Sequence, residues 1–288
     1  MAVTRETRLR VWTLADIVGI VKYPLWTMGQ FFVHFPLAVR NTAFILSAFA
    51  RTAHVGYRAI RVLDRQRAGW TDRTRGRYIW RVARLFWADW IMHRAQIGVD
   101  VVGSEGIDWS KPHIVVSNHQ STLDILVLVK TIPYGRYVAK KEVLAFPFVG
   151  SACVKGAQII VDRKDHAQSM QAIRKGMEDW PDCNLIFFAE GTRSRDGRLG
   201  TFKKGGFAIA RETGLPIIPV AITGAFEALP RGSLLRLQRG RRMRIEFGKP
   251  IPSSADVAGL AERTREVIGE MICRADAPLL VEERTVAA

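Results

Sequence analysis

The 288-residue chain has only three cysteines, Cys153, Cys183 and Cys273, and no two of them stand in a C-x-x-C spacing. That shortage argues against a disulfide scaffold. With no histidine placed to complete a ligand set, it also argues against a structural zinc site. A reducing compartment fits better. No uncharged apolar run reaches the roughly 20 residues that a clean bilayer span needs. The N-terminus MAVTRETRLRVW lacks the short apolar core and small-residue cleavage site of a signal peptide, so secretion is not expected. Internal repeats and low-complexity tracts are absent as well. Acidic residues are the remaining shortage, with 27 Asp and Glu against 43 Lys and Arg, for a net charge of +16. Such an excess calls for an anionic partner: nucleic acid, an acidic membrane surface, or an acidic protein or substrate.

What is present divides into two textures. Residues 1–100 hold 16 Arg or Lys against 6 Asp or Glu, and six of the eight tryptophans (Trp12, Trp26, Trp70, Trp80, Trp87, Trp90). Trp and Arg amid Phe and Leu suit a membrane interface, where rings sit at headgroup depth and cations face anionic lipid. The most apolar stretch, Tyr23 to Ala50, is interrupted by His34, Pro36, Arg40 and Asn41. Arg51, Arg58, Arg61 and Arg65 then fall on one helical stripe, as do Arg77, Arg81 and Arg84. This region is expected to form helices that lie in or dip into one leaflet and dock the chain on an anionic membrane. An ordinary soluble bundle with solvated arginine faces is the plain alternative. Nucleic acid is not expected as a partner, because no nucleic-acid-binding motif accompanies the basic stripes.

From residue 101 to 288 short β-rich runs (HIVVS, RYVAK, QIIVD, NLIFFAE, IIPVAI, MRIEF) alternate with helical patterns at Ser121–Lys130, Asp165–Trp180, Lys204–Thr213 and Ala255–Arg274. That alternation predicts an α/β fold with a mostly parallel central sheet flanked by helices. In such sheets, sites collect at the carboxyl ends of the strands.

Two constellations stand at those ends. HIVVS is followed by NHQSTLD, which puts His119 five residues before Asp124. Ser121 and Asp124 read equally well as a capping-box-like pair opening a helix, or Asp124 as a carboxylate that holds the His119 imidazole. Five helical residues turn through about 140°, so the second reading requires His119 to precede the helix. Downstream, NLIFFAE runs into the loop EGTRSRDGRLGTFKKG. There Gly191 permits close backbone approach, Thr192 and Ser194 offer hydroxyls, and Arg193 offers a fork suited to phosphate. The strand IIVD delivers Arg163, whose plain alternative is a surface pair with Asp162.

In order and type, the blocks NHQSTLD, IIVDR, FFAEGTRS and IIPVAI resemble those of the glycerolipid acyltransferase family, and within it the bacterial PlsC-type 1-acylglycerol-3-phosphate acyltransferases. The resemblance covers roughly Lys111 to Pro252. Its one departure is Ala189, where the family usually has proline before the glutamate.

The resemblance implies that His119 is the general base and Asp124 its orienting carboxylate. It implies that Arg163 and Arg193 hold an acceptor's phosphate, with Glu190, Gly191 and Thr192 shaping the glycerol pocket. Lys140, closing RYVAK, is a candidate to face a developing oxyanion; a solvated lysine is its plain alternative. The acyl donor would be acyl-CoA or acyl-carrier protein and the acceptor a lysophospholipid, with no metal and no resident cofactor. Residues Arg231 to Arg244 are candidates to meet lipid headgroups or an acidic carrier. Lysophosphatidic acid is the implied acceptor; glycerol-3-phosphate, a lyso-ornithine lipid, and a non-catalytic lipid-binding role are the rivals. The implied location is the cytoplasmic face of the cell membrane.

Overall fold

A computed structural model describes residues 28–276, apart from positions 67, 68, 147, 163 and 233. The candidate Arg163, together with Trp12, Trp26 and the start of the apolar stretch at Tyr23, lies outside the described residues.

The N-terminal part is helical. A long helix α1 (Met28–Arg65) turns back into α2 (Asp72–Val82), which runs through a π-helical stretch (Ala83–Ala88) into α3 (Asp89–Arg94). Thr71 starts α2 by accepting the backbone N–H of Thr74, and Asp72 places a carboxylate in the first turn. The remainder alternates: β1 (Gly98–Val102), β2 (Ile114–Ser117), α4 (Leu123–Thr131), β3 (Arg136–Lys140), α5 (Val149–Lys155), β4 (Ile159–Val161), α6 (His166–Asp179), β5 (Leu185–Phe188), α7 (Gly205–Thr213), β6 (Ile217–Thr223), α8 (Ala225–Ala228), β7 (Arg242–Phe247) and α9 (Val257–Asp276).

The seven strands form one sheet in the order β1-β7-β6-β2-β5-β3-β4. Every neighbouring pair is parallel except β6 with β7. The expected mostly parallel sheet is therefore present. Its alternate side chains feed two apolar layers, as pleating demands. On β2, Val115 joins the layer under the N-terminal helices and α4, while Ile114 and Val116 join the layer under α6, α7 and α9. Both faces are covered, which is why the central strands read as continuous Ile/Val runs.

The described N-terminal helices belong to this core. Phe44, Trp80, Ile91 and Met92 are buried in the same layer as Val115 and Leu128, and the Trp80 indole donates to the Ile132 carbonyl at 2.9 Å. Gly76 lets α2 lie directly on Trp180, since a Cβ there would meet the indole at 2.0 Å. No described helix is long and apolar enough to cross a membrane.

Three elements escaped the sequence reading: β1, α5 and the four-residue α8. β1 is a half-exposed edge strand, so only part of its side-chain pattern is apolar. α5 has seven residues, is preceded by Phe148 at φ +62° and is followed by Ala157 at φ +55°. No capping residue or long periodicity announces it.

Candidate active site

Parallel pairing sets the position of the two constellations before any side chain is considered. Ser117 at the end of β2 is in register with Phe188 at the end of β5. Continuing both chains by two residues brings His119 beside Glu190. The backbone bonds agree: the His119 N–H donates to Glu190 Oε1 at 2.9 Å, and the His119 carbonyl accepts the Ser194 N–H at 2.7 Å. Both backbone groups of the histidine are thus held by the Glu190–Ser194 loop. The second Glu190 oxygen accepts the Gly200 N–H at 3.1 Å, so one buried carboxylate ties the turn at His119 to the backbone at Gly200. Burial raises its pKa, partly offset by those same N–H bonds.

Asn118 prolongs the sheet past the end of β2. Its amide donates to the Ile222 carbonyl at 2.9 Å and accepts the Ile222 N–H at 2.8 Å, as a paired strand residue would. The Ala189 N–H donates to the Ser117 carbonyl at 3.0 Å on the other side. A proline at position 189 would have no N–H to give. The departure from the expected block therefore adds a ladder bond rather than loosening the turn. Gly191 follows at φ +71°, a left-handed conformation that favours glycine.

His119 itself stands in the turn, ahead of α4. Its Nδ1 lies 2.8 Å from Asp124 Oδ2, and the same oxygen accepts the N–H groups of Gln120 and Ser121 at 2.7 and 2.8 Å. The Ser121 bond is one half of a capping box; Ser121 Oγ, however, accepts from Leu123 at 3.2 Å and donates to Leu229. Cap and carboxylate–imidazole pair thus coexist on a single Asp124, which is fully buried. The carboxylate fixes the imidazole with its proton on Nδ1, and leaves Nε2 as the nitrogen able to take another. Phe188 stacks on the imidazole, with ring centroids 3.8 Å apart and planes within 13°.

The ring borders a cavity of about 500 Å³. Its walls are largely apolar and come from distant parts of the chain: Val55 and Ala59 of α1, Val82 and Trp87 around the π-helical turn, Val138 of β3, and Ala152 of α5. Trp87 is anchored there by donating to Thr52 Oγ1 at 2.8 Å. A thin, long apolar group fits such walls. Lys140, exposed, also borders the cavity.

A second, polar cleft lies beside it, bordered by Glu190, Ser194, Arg195, Asp196 and Arg198. Arg193 donates to Thr122 Oγ1 at 2.8 Å, next to the start of α4. The structure thus brings His119, Asp124, Glu190, Gly191, Thr192, Arg193 and Lys140 to one edge of the sheet. Glu190 borders the polar cleft and is at the same time engaged with the backbone N–H groups of His119 and Gly200. Asn118 and Phe188 were passed over. Their sequence signal was only their adjacency to the two blocks. Among the described residues, no cluster of three or more His, Cys, Asp or Glu side chains could hold a metal ion.

Comparison with known proteins follows this geometry. Residues 98–223 match the Acyltransferase family model. A chloroplastic 1-acyl-sn-glycerol-3-phosphate acyltransferase of Brassica napus is 36% identical over 174 residues, 59% of this chain and 50% of that protein. The alpha 1-acyl-sn-glycerol-3-phosphate acyltransferase of Bos taurus is 32% identical over 177 residues, 59% of this chain and 61% of that protein. The chain thus spans about half the length of the plant relatives it matches. Among solved structures, the 1-acyl-sn-glycerophosphate acyltransferase PlsC of Thermotoga maritima superposes with a TM-score of 0.70 at 25% identity, covering 84% of this chain and 98% of that one.

Proposed function

We propose that this chain, whose residues 98–223 match the Acyltransferase family model, moves an acyl group from a thioester to the free hydroxyl of lysophosphatidic acid, giving phosphatidic acid. The observation that carries the reading is the oriented imidazole of His119, held on Asp124 at 2.8 Å and bordering an apolar cavity of about 500 Å³.

In this reading His119 Nε2 takes the proton of the acceptor hydroxyl as its oxygen attacks the thioester carbonyl. The tetrahedral oxyanion collapses, the C–S bond breaks, and the leaving thiolate takes the proton back. Asp124 keeps the proton on Nδ1 and stabilises the imidazolium between the two transfers. General-base action of this kind contributes about 10²–10⁴-fold. The cavity takes the apolar acyl chain, and the polar cleft with Arg193 takes the acceptor's phosphate. Thr192 borders both spaces and Gly191 the cavity, and Lys140 borders the cavity as a cation for the oxyanion. The donor is acyl-CoA or acyl-carrier protein; either anion suits a chain of charge +16.

Residues 1–100 would dock the enzyme on an anionic membrane, with the active edge toward the cytoplasmic face. The large exposed apolar side chains Leu46, Phe49, Leu85 and Phe86 support that reading. The decisive experiment offers purified protein lysophosphatidic acid, glycerol-3-phosphate and a lyso-ornithine lipid, each with both thioesters, and follows thiol release. Turnover with lysophosphatidic acid that disappears in His119→Ala is expected. Thiol release unaffected by that substitution would overturn the base assignment.

A further inference from the structure

Among the described residues, three border both the apolar cavity and the polar cleft: Thr192, Arg193 and Arg231. An acyl chain in the first space and an acceptor's anionic head in the second meet at these three residues. Thr192 and Arg193 come from the loop after β5, whereas Arg231 arrives from the other side of the site, on the segment after α8.

Arg231 and Arg193 lie side by side. An Arg231 N–H donates to the Arg193 carbonyl at 3.3 Å, while Arg193 donates to Thr122. Neither guanidinium joins an ion pair with a carboxylate among the described residues. Two like charges left close to one another cost energy until an anion offsets them. The same repulsion, after burial, holds the Arg193 pKa below its ordinary value. A planar fork on each side matches a phosphate's oxygens better than a lone arginine does, because a dianion can accept from both at once.

We propose that Arg231 is a further arm of the phosphate clamp, and binds with Arg193 the phosphate monoester of the acyl acceptor. This rests on the acyl-transfer reading of the same site. It assigns the phosphate to the lipid acceptor rather than to a phosphate-bearing donor, because both arginines border the polar cleft that the proposed function gives to the acceptor's head, while the apolar cavity takes the transferred acyl chain.

The test uses the full chain, with 1-oleoylglycerol 3-phosphate and oleoyl-CoA varied separately. Arg231→Gln is expected to raise KM for the phosphate acceptor about tenfold or more, leave KM for oleoyl-CoA unchanged, and lower kcat by less than about threefold. Arg231→Lys should recover part of the loss. Binding is read independently in the His119→Ala background, with micelles of oleoylglycerol phosphate or of uncharged monooleoylglycerol. Arg231→Gln should weaken only the first. The unliganded Arg231→Gln protein should melt no lower than the parent, since a like charge is removed; lower melting would assign the residue a structural brace and overturn the clamp. A KM rise for Arg193→Gln but not Arg231→Gln overturns the clamp and leaves the proposed function standing. A rise for oleoyl-CoA alone assigns Arg231 to the donor and also overturns it. A parent protein that neither acylates nor binds the phosphate lipid defeats the proposed function, and the clamp with it.

Discussion

Asp124 Oδ2 receives the His119 Nδ1–H and two backbone N–H groups within 2.8 Å, from a fully buried carboxyl. Asp124→Asn presents a neutral oxygen and an NH₂ group to three donors. Both the imidazole's orientation and the turn should suffer. Hydrogen bonds to charged groups contribute about 1.5–3 kcal/mol, so a loss of that order in chemical denaturation is expected. His119→Ala should lower kcat about 10²–10⁴-fold with a much smaller change in stability. Equal destabilisation by both substitutions would mean that the pair is architectural.

Phe188 covers one face of the imidazole at 3.8 Å, and Tyr137 stacks on Phe188 at 6.0 Å in turn. Such contacts contribute about 0.5–1.5 kcal/mol beyond area burial. Phe188→Leu keeps the apolar volume and removes the ring face, so kcat should fall about 2- to 10-fold with an unchanged KM for phosphate acceptor. A KM effect alone would place Phe188 in acceptor binding instead.

How far the site could be read from sequence depends on the range of the interaction involved. His119 with Asp124, and Glu190 with Arg193, are each local in the chain, and the alternation of strands with helices put both at carboxyl strand ends. The register Ser117 to Phe188 that joins them is tertiary. Glu190 reads as a pocket residue, and its further bonds to the N–H groups of His119 and Gly200 are seen only in the fold. The apolar cavity was illegible for the same reason: Val55 and Ala152 stand nearly a hundred residues apart, and neither is unusual on its own helix. Arg77 stays exposed, as its stripe suggested, while its guanidinium also lies 4.6 Å from the centre of the Tyr134 ring, a contact that only the fold shows.

Cys153 borders the cavity, and burial lifts its thiol from 9.0 to about 11. Only the thiolate reacts, so maleimide labelling at pH 7.5 should modify exposed Cys273 first. Labelling of Cys153 should speed up about tenfold per pH unit until about pH 11. Because the folded thiol ionises later than the unfolded one, the fold should lose stability as pH rises from about 9 to about 11. A long-chain acyl thioester occupying the cavity should protect Cys153 and leave Cys273 unaffected. Undiminished Cys153 labelling at saturating thioester would take the acyl chain out of this cavity.

The exposed apolar side chains of α1 and of the π-helical stretch are joined across the helix pair, since Arg51 donates to the Phe86 carbonyl at 2.8 Å and lies over the Trp90 ring. Phe49 is 56% and Phe86 51% exposed, an arrangement that costs free energy in water and gains it in an interface. Deleting this region wholesale would be a poor test of docking, because Phe44, Ala59 and Leu63 beside it are buried and their loss would open the core. Point substitutions separate the two effects. Phe49→Asp with Phe86→Asp should leave the melting temperature within a few degrees and reduce co-sedimentation with vesicles containing phosphatidylglycerol at least about tenfold, each buried aromatic contributing about 1.5–3 kcal/mol. Activity on acceptor dispersed in detergent should persist while activity on vesicle-borne acceptor falls. Undiminished vesicle binding by the double variant would move the docking surface to another face of the chain.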